Sequence, residues 1–212
     1  MKHPNVYLIG LTGGIACGKS TVLAMLADLG ARTIDADRVT HDLQAPGMPV
    51  YEQIVAAFPE AAPEPGAPLD RRRLAALVFS DPQRLRQLEQ IVHPAVRLEL
   101  RNFIEAVGRA AGPAERPVVV IDVVKLIESG WAQVCDEVWV VTAPEEQQVS
   151  RLMATRGMSE AEARQRIGAQ TSQAERLAHA TVVIDNGDSL AATRAQVEAA
   201  WQAMLRRKEA RR

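Results

Sequence analysis

Gly13, Gly18, Lys19 and Ser20 stand at the spacing G-x-x-x-x-G-K-[ST], inside the stretch Leu8–Thr21, LIGLTGGIACGKST. That pattern cradles phosphate. Glycine lets the backbone curl so that successive N–H groups converge on phosphate oxygens. A helix opening near Lys19 adds unpaired N–H groups and the positive end of its dipole. Gly13, Gly14, Ile15, Ala16, Cys17, Gly18, Lys19, Ser20 and Thr21 thus form a candidate cradle, with Lys19 on the β/γ phosphates and Ser20 on Mg²⁺. A second set is Asp35-Ala36-Asp37. A small-molecule kinase must align an acceptor hydroxyl with a γ-phosphoryl group and give its proton somewhere to go. Asp37 suits the hydroxyl, as orienting group or base, and Asp35 suits the water shell of Mg²⁺, although the two roles can be exchanged. If the strand continues through them, their side chains alternate in direction. Asp37 can equally cap the following helix. Asp122, at the end of a further apolar run, is a third candidate for Mg²⁺ through water.

The elements that must position these groups follow from the hydrophobic pattern. Val6–Leu11 reads as a buried parallel strand, and Lys19–Leu29 as a helix stopped by Gly30. Arg32–Ile34 is a brief strand before a short helix at Arg38–Leu43. Ala45–Pro68 holds Pro46, Pro49, Pro59, Pro63, Pro65 and Pro68, so loops are expected there around a helix at Val50–Phe58. Helices follow at Leu69–Phe79 and Asp81–Val107, the second expected to be kinked or divided by Pro94. Pro117–Ile121 and Val138–Thr142 read as strands, and Pro144–Ala154 as a helix with Glu145 and Glu146 in its first turn. Arg156–Gln173 is rich in Arg, Glu and Gln, with Ser159 and Glu162 in capping-box spacing. Arg151, Arg156, Arg164 and Arg166 concentrate positive charge there, either as a solvated ion-paired face or as a lid that closes on phosphates. Thr181–Ile184 is a last strand and Asp188–Arg206 a last helix, with Leu190, Val197, Trp201, Met204 and Leu205 on its apolar side. Arg206–Arg212 reads as a frayed basic tail. Strands alternating with helices point to one α/β core, and the phosphate loop at its first strand makes a P-loop kinase-like fold the expectation. The expected architecture is a parallel sheet with helices on both faces, a helical substrate-binding insertion and, on the lid reading, an arginine-bearing lid.

Composition narrows the class. A formal net charge of -1 over 212 residues gives no global pull toward nucleic acid or an anionic membrane. No run reaches the roughly 18 apolar residues of a membrane span. Two cysteines far apart in sequence, Cys17 and Cys135, suggest a reducing compartment and hence the cytoplasm. Cys17 reads as a small spacer in the loop whose pKa a helix terminus can lower. No N-K-x-D guanine-reading pattern is present, and a chain of this length leaves little room for a partner-driven machine. A small-molecule kinase is therefore favoured over a GTPase or a large ATP-driven machine; a nucleoside-monophosphate kinase, which shares the loop, helical insertion and arginine lid, and a nucleotide-dependent regulatory ATPase stay as alternatives.

Longer segments resemble the dephospho-coenzyme A kinase family. They are GLTGGIACGKST at Gly10–Thr21, IDAD at Ile34–Asp37, LDRRRLAALVFSDPQRLRQLEQIVHP at Leu69–Pro94 and AERLAHATVVIDN at Ala174–Asn186. ESG at Glu128–Gly130 and GMSEAEARQRIGAQ at Gly157–Gln170 are similar as well. The resemblance implies transfer of the γ-phosphoryl group of ATP to the ribose 3′-hydroxyl of dephospho-CoA, giving CoA and ADP in the last step of CoA biosynthesis. It also implies that Asp37 contacts the acceptor, that His93 and Arg97 face the acceptor or its phosphates, and that Arg151 and Arg166 reach phosphates from the lid side. His93 can instead serve helix packing or capping. The expected organisation is one domain. Its nucleotide core is 1–44, 115–154 and 178–212, its acceptor-binding insertion 45–114 and its lid 155–177. A monomer suffices for such a site. The chain departs from the family pattern at Ala16, often glycine there and compatible if its φ stays negative. It departs again at Val124, Lys125 and Ile127 in DVVKLIE, and at Thr155, where a lid arginine is common.

Overall fold

The structure, a computed structural model, describes residues 3–62, 64, 66–112 and 115–210. Pro63 and Pro65 of the proline-rich stretch, and the last two residues of the basic tail, lie outside them. The strands are β1 (Tyr7–Gly13), β2 (Arg32–Asp35), β3 (Val118–Asp122), β4 (Glu137–Thr142) and β5 (Val182–Asp185). The helices are α1 (Lys19–Asp28), α2 (Ala36–Leu43), α3 (Pro49–Ala57), α4 (Arg71–Phe79), α5 (Pro82–Ala110), α6 (Glu145–Arg156), α7 (Glu160–Gly168), α8 (Gln173–Ala178) and α9 (Leu190–Glu209). The chain divides into two compact units, Met1–Ile34 with Ile104–Arg212, and Asp35–Phe103.

The first unit is built on one sheet in the order β2-β3-β1-β4-β5. β1 pairs in parallel with β3 and β4, and β4 with β5, with Leu11 opposite Asp122 and Gly13 opposite Val141. All seven residues of β1 are buried, as a strand covered on both faces requires. Alternation divides them. Tyr7, Ile9 and Leu11 join Val22, Met25 and Leu26 of α1 and Val197, Trp201 and Met204 of α9 in one core. On the other face a Cβ at Gly10 would lie 2.7 Å from Leu126 Cδ2, so a side chain here would have to push the buried Leu126 aside. The strands leave β1's carboxyl end ringed by the ends of β3 and β4, where open α/β sheets bind ligands.

Two polar clusters brace this unit below the site. Tyr7 and Trp139 donate to the Glu137 carboxylate at 2.7 and 2.8 Å. Arg207 adds two bonds at 2.7 and 3.0 Å. Burial alone would push this carboxyl up, but the bonds from Arg207, Trp139 and Tyr7 prevail and hold it below the ordinary glutamate range. The same bonds explain why the basic tail is not frayed from Arg206: α9 continues to Glu209. Arg116 grips the Asp136 carboxylate at 3.2 Å, and Asp136 in turn accepts from the Leu8 amide. Leu190, expected on the apolar side, is exposed in the first turn of α9. Among the described residues no helix is long and apolar enough to cross a membrane.

The second unit has its own core of Val50, Tyr51, Ile54, Phe58, Leu69, Leu74, Val78 and Val92. Ile54 and Phe58 are completely buried, each worth about 1.5–3 kcal/mol. Pro49 begins α3, and Asp70 caps α4 through the Arg72 and Arg73 amides. Pro94 does not divide α5. Both it and Gln90, the residue whose carbonyl loses its partner, lie on the exposed side, where water can take up that carbonyl.

Candidate active site

The phosphate loop joins β1 to α1, and its shape depends on missing side chains. Gly18 has φ +95°, and a Cβ there would sit 2.0 Å from Asn186 Nδ2. A Cβ at Gly13 would meet the Val141 carbonyl at 2.5 Å. Lys19 follows as the first residue of α1 and Ser20 is exposed beside it. The first amides of a helix have no carbonyl to reach within it, so they remain available to an anion. Ala16 takes φ +57°. The condition under which alanine replaces glycine here without strain, a negative φ, is therefore not met, and its methyl group carries about 1–2 kcal/mol of left-handed strain.

Distant residues compensate by tying the loop down. Asn186, just past β5, donates to the Cys17 carbonyl at 2.8 Å and is itself oriented by the Thr193 hydroxyl at 2.9 Å. Arg151 of α6 donates to the Ala16 carbonyl at 3.1 Å and to the Asn186 carbonyl at 2.9 Å. Gln170 accepts the Ile15 amide at 2.8 Å. Ile15 and Ala16 also pack against Val149, Leu152 and Ala163. Cys17 is buried. Burial pushes its thiol up, while the Lys19 charge, the Lys19 amide and Arg176 pull it down without prevailing. Burial thus outweighs the lowering that a helix terminus can bring, and the thiol form is favoured, as suits a small spacer in the loop.

Asp122 is buried at the end of β3, next to the loop strand through its pairing with Leu11. Arg166 is exposed in the last turn of α7, beside the Glu162 charge. Arg164 bonds Glu160, Glu145 and Glu146 at 3.0, 3.2 and 2.9 Å, so this part of the basic cluster is an ion-paired face between α6 and α7. The Ser159 capping box is formed as expected.

Asp35, Asp37, His93 and Arg97 belong to the other unit. There the strand ends at Asp35, and Asp35 rather than Asp37 caps α2, its Oδ1 accepting from the Asp37 amide at 2.8 Å and the Arg38 amide at 3.3 Å. Helix start replaces strand alternation at this point, leaving the Asp37 side chain exposed in the first turn. His93 and Arg97 are both exposed on α5, one helical turn apart and so on one stripe.

Sequence reasoning gave no individual role to Gln148, Gln170, Arg176, Asn186 or Thr193, although Gln170, Arg176 and Asn186 fall within the segments that carry the resemblance. The one available signal was an uncharged polar residue, Asn186, directly after a strand of the sheet.

Comparison with known proteins agrees with this arrangement. The family model described as dephospho-CoA kinase matches residues 7–192. A dephospho-CoA kinase from Symbiobacterium thermophilum is 53% identical over 92% of this chain and 80% of its own length. One from Moorella thermoacetica is 46% identical over 95% and 93%. A solved structure from Thermus thermophilus superposes with a TM-score of 0.77 at 38% identity, covering 95% of this chain and 97% of that one. A phosphate loop at the head of a parallel sheet and matches spanning nearly the whole sequence lead to one conclusion: the chain belongs to the dephospho-CoA kinase family.

Proposed function

We propose that the protein transfers the γ-phosphoryl group of ATP to the ribose 3′-hydroxyl of dephospho-CoA, releasing CoA and ADP. The observation that carries this reading is the loop at residues 13–18, shaped by two positions where no Cβ fits and followed at once by Lys19. Such a loop offers amides and a cation to the phosphates, and family membership selects the acceptor.

In this reading Gly13–Thr21 cradles the phosphates and Lys19 meets the charge that develops as the P–O bond breaks. Asp37 receives the acceptor's proton as its oxygen attacks phosphorus in line. Asp35, engaged as a helix cap, holds the Asp37 turn in place as well as serving as a candidate for the Mg²⁺ water shell. His93 and Arg97 provide a basic stripe for the acceptor's phosphates. Residues 45–114 form the acceptor-binding part and 155–177 the lid, from which Arg166 and the α6 residue Arg151 approach the phosphates. Ser20 and Asp122 are the residues to hold Mg²⁺. Both are hard oxygen donors and few in number, the set Mg²⁺ takes when phosphates and water complete its shell. Among the described residues no group of three or more His, Cys, Asp or Glu could hold a metal, so a protein-only cage is not the mode of binding. Bound there, the cation would screen the phosphate charge. Two buried cysteines outside any disulfide favour a reducing cytoplasm, and the site needs one copy of the chain.

The test is a reaction with MgATP and dephospho-CoA, or nucleoside monophosphates in competition, read by mass. One phosphoryl group added to dephospho-CoA is the expected product. Phosphorylated monophosphates, or ATP hydrolysis with no phosphorylated acceptor, would replace the proposal with a nucleoside-monophosphate kinase or an ATPase. Asp37→Asn should lower kcat on the order of 10²-fold or more while ATP affinity changes little. Full turnover in that variant would remove Asp37 from the proton's path.

A further inference from the structure

Arg176 lies in α8, a short helix closed at its start by a second capping box between Ser172 and Glu175. It keeps only 5% of its accessible surface. A guanidinium buried to this degree normally has its five N–H donors engaged. Among the described residues, the Arg176 side chain makes no hydrogen bond or ion pair. Its neighbours are the phosphate loop and the groups around it. Nη1 lies 3.6 Å from where a Cβ on Gly14 would be, beside Gln148 and Gln170. The charges of Lys19, Asp122 and Arg176 all act on the buried sulfur of Cys17. Arg176 Nη1 therefore stands beside the phosphate loop at Gly14, and its charge, like those of the lysine assigned to the outer phosphates and the carboxylate assigned to their cation, is felt at Cys17.

Arg151 offers the contrast. Its guanidinium is committed to the carbonyls of Ala16 and Asn186 and to Gln147, so it holds the protein together at the loop. Arg176 has no such commitment. No Arg176 nitrogen is both sealed from solvent and unpartnered, so the little surface the residue keeps includes its charged end, where an arriving anion meets an uncommitted fork.

We propose that Arg176 binds the outer phosphates of the nucleotide, donating its planar fork to oxygens that gain charge during transfer. This rests on the reading of the loop as a phosphate cradle, and adds to it a residue from the far end of the chain.

The experiment compares wild type, Arg176→Met, Arg176→Gln and Arg176→Lys by thermal unfolding without ligand, with MgADP and with MgATP, alongside kcat and KM. Removing an unbonded buried charge should leave the unliganded Tm equal or higher in the Met and Gln variants. The MgATP-induced rise should shrink in both, reflecting at least a tenfold loss of affinity, and kcat should fall on the order of 10²–10³-fold. Arg176→Lys should recover part of the MgATP-induced rise but less of kcat, because a point charge lacks the fork. A lower unliganded Tm with an undiminished MgATP-induced rise in both Met and Gln variants would make Arg176 structural and overturn the proposal. Unchanged kcat and KM would do the same. If wild type leaves dephospho-CoA unmodified while the variants still lose the ATP-induced rise, the acceptor assignment fails and the role of Arg176 stands.

Discussion

Replacing Gly18 by alanine probes how the phosphate loop is held, and the structure sets the size of the effect. At φ +95° a side chain adds about 1–2 kcal/mol of left-handed strain. Its Cβ would also fall 2.0 Å from Asn186 Nδ2, so the amide must leave the Cys17 carbonyl it now meets at 2.8 Å. Losing that bond and stranding a buried carbonyl adds about 1–3 kcal/mol. Gly18→Ala should therefore destabilise the unliganded protein by about 2–5 kcal/mol. Asn186→Ala removes the bonds to Cys17 and Thr193 on its own account. In that background, however, Gly18→Ala meets no amide and retains only the backbone strain. A double-mutant cycle followed by urea unfolding should show a coupling of about 1–3 kcal/mol, the double variant being more stable than the sum of the singles predicts. Additivity within about 0.5 kcal/mol would refute the claim that Asn186 occupies the space that only glycine leaves.

Ala16→Gly should stabilise the unliganded protein by about 0.5–1 kcal/mol, the relief of strain at φ +57° exceeding the added freedom of the unfolded chain; a drop in urea midpoint would contradict this. The Glu137 carboxyl is held below its ordinary range in the folded state, so the stability it confers is present above the unfolded glutamate pKa. That stability is lost as pH falls through the folded one. Glu137→Gln should make the acid limb of a stability–pH curve shallower, and an unaltered slope would count against the network. Cys17 should react with iodoacetamide at pH 8 at least tenfold more slowly in the folded protein than in urea, since burial keeps it a thiol; equal rates would disprove that.

Local patterns were legible where physics is local. The glycine spacing, the apolar run of β1, the Ser159–Glu162 box and the alternation of strands and helices each describe a few neighbouring residues, and each is present in the structure. The DAD segment shows the limit. Either aspartate can cap a helix, and only the observed end of β2 assigns that job to Asp35. α8 escaped notice because six residues are too few to display a period. The partners of the loop, Asn186, Gln170 and Arg151, are separated from it by 169, 155 and 135 positions. No periodicity in the sequence reports a contact of that range. For the same reason Ala16 could be noted as a departure but not recognised as strained.

The Asn186–Cys17 bond also bears on when this protein acquires its ligand during synthesis. β1 needs strands on both sides, and the loop that follows it needs an amide supplied near the close of the chain. A nascent polypeptide that has displayed every glycine of the motif to the solvent should still be blind to nucleotide. Stalled chains whose Asn186 and α9 are still inside the ribosome should not retain a fluorescent ATP analogue, and chains with both outside it should.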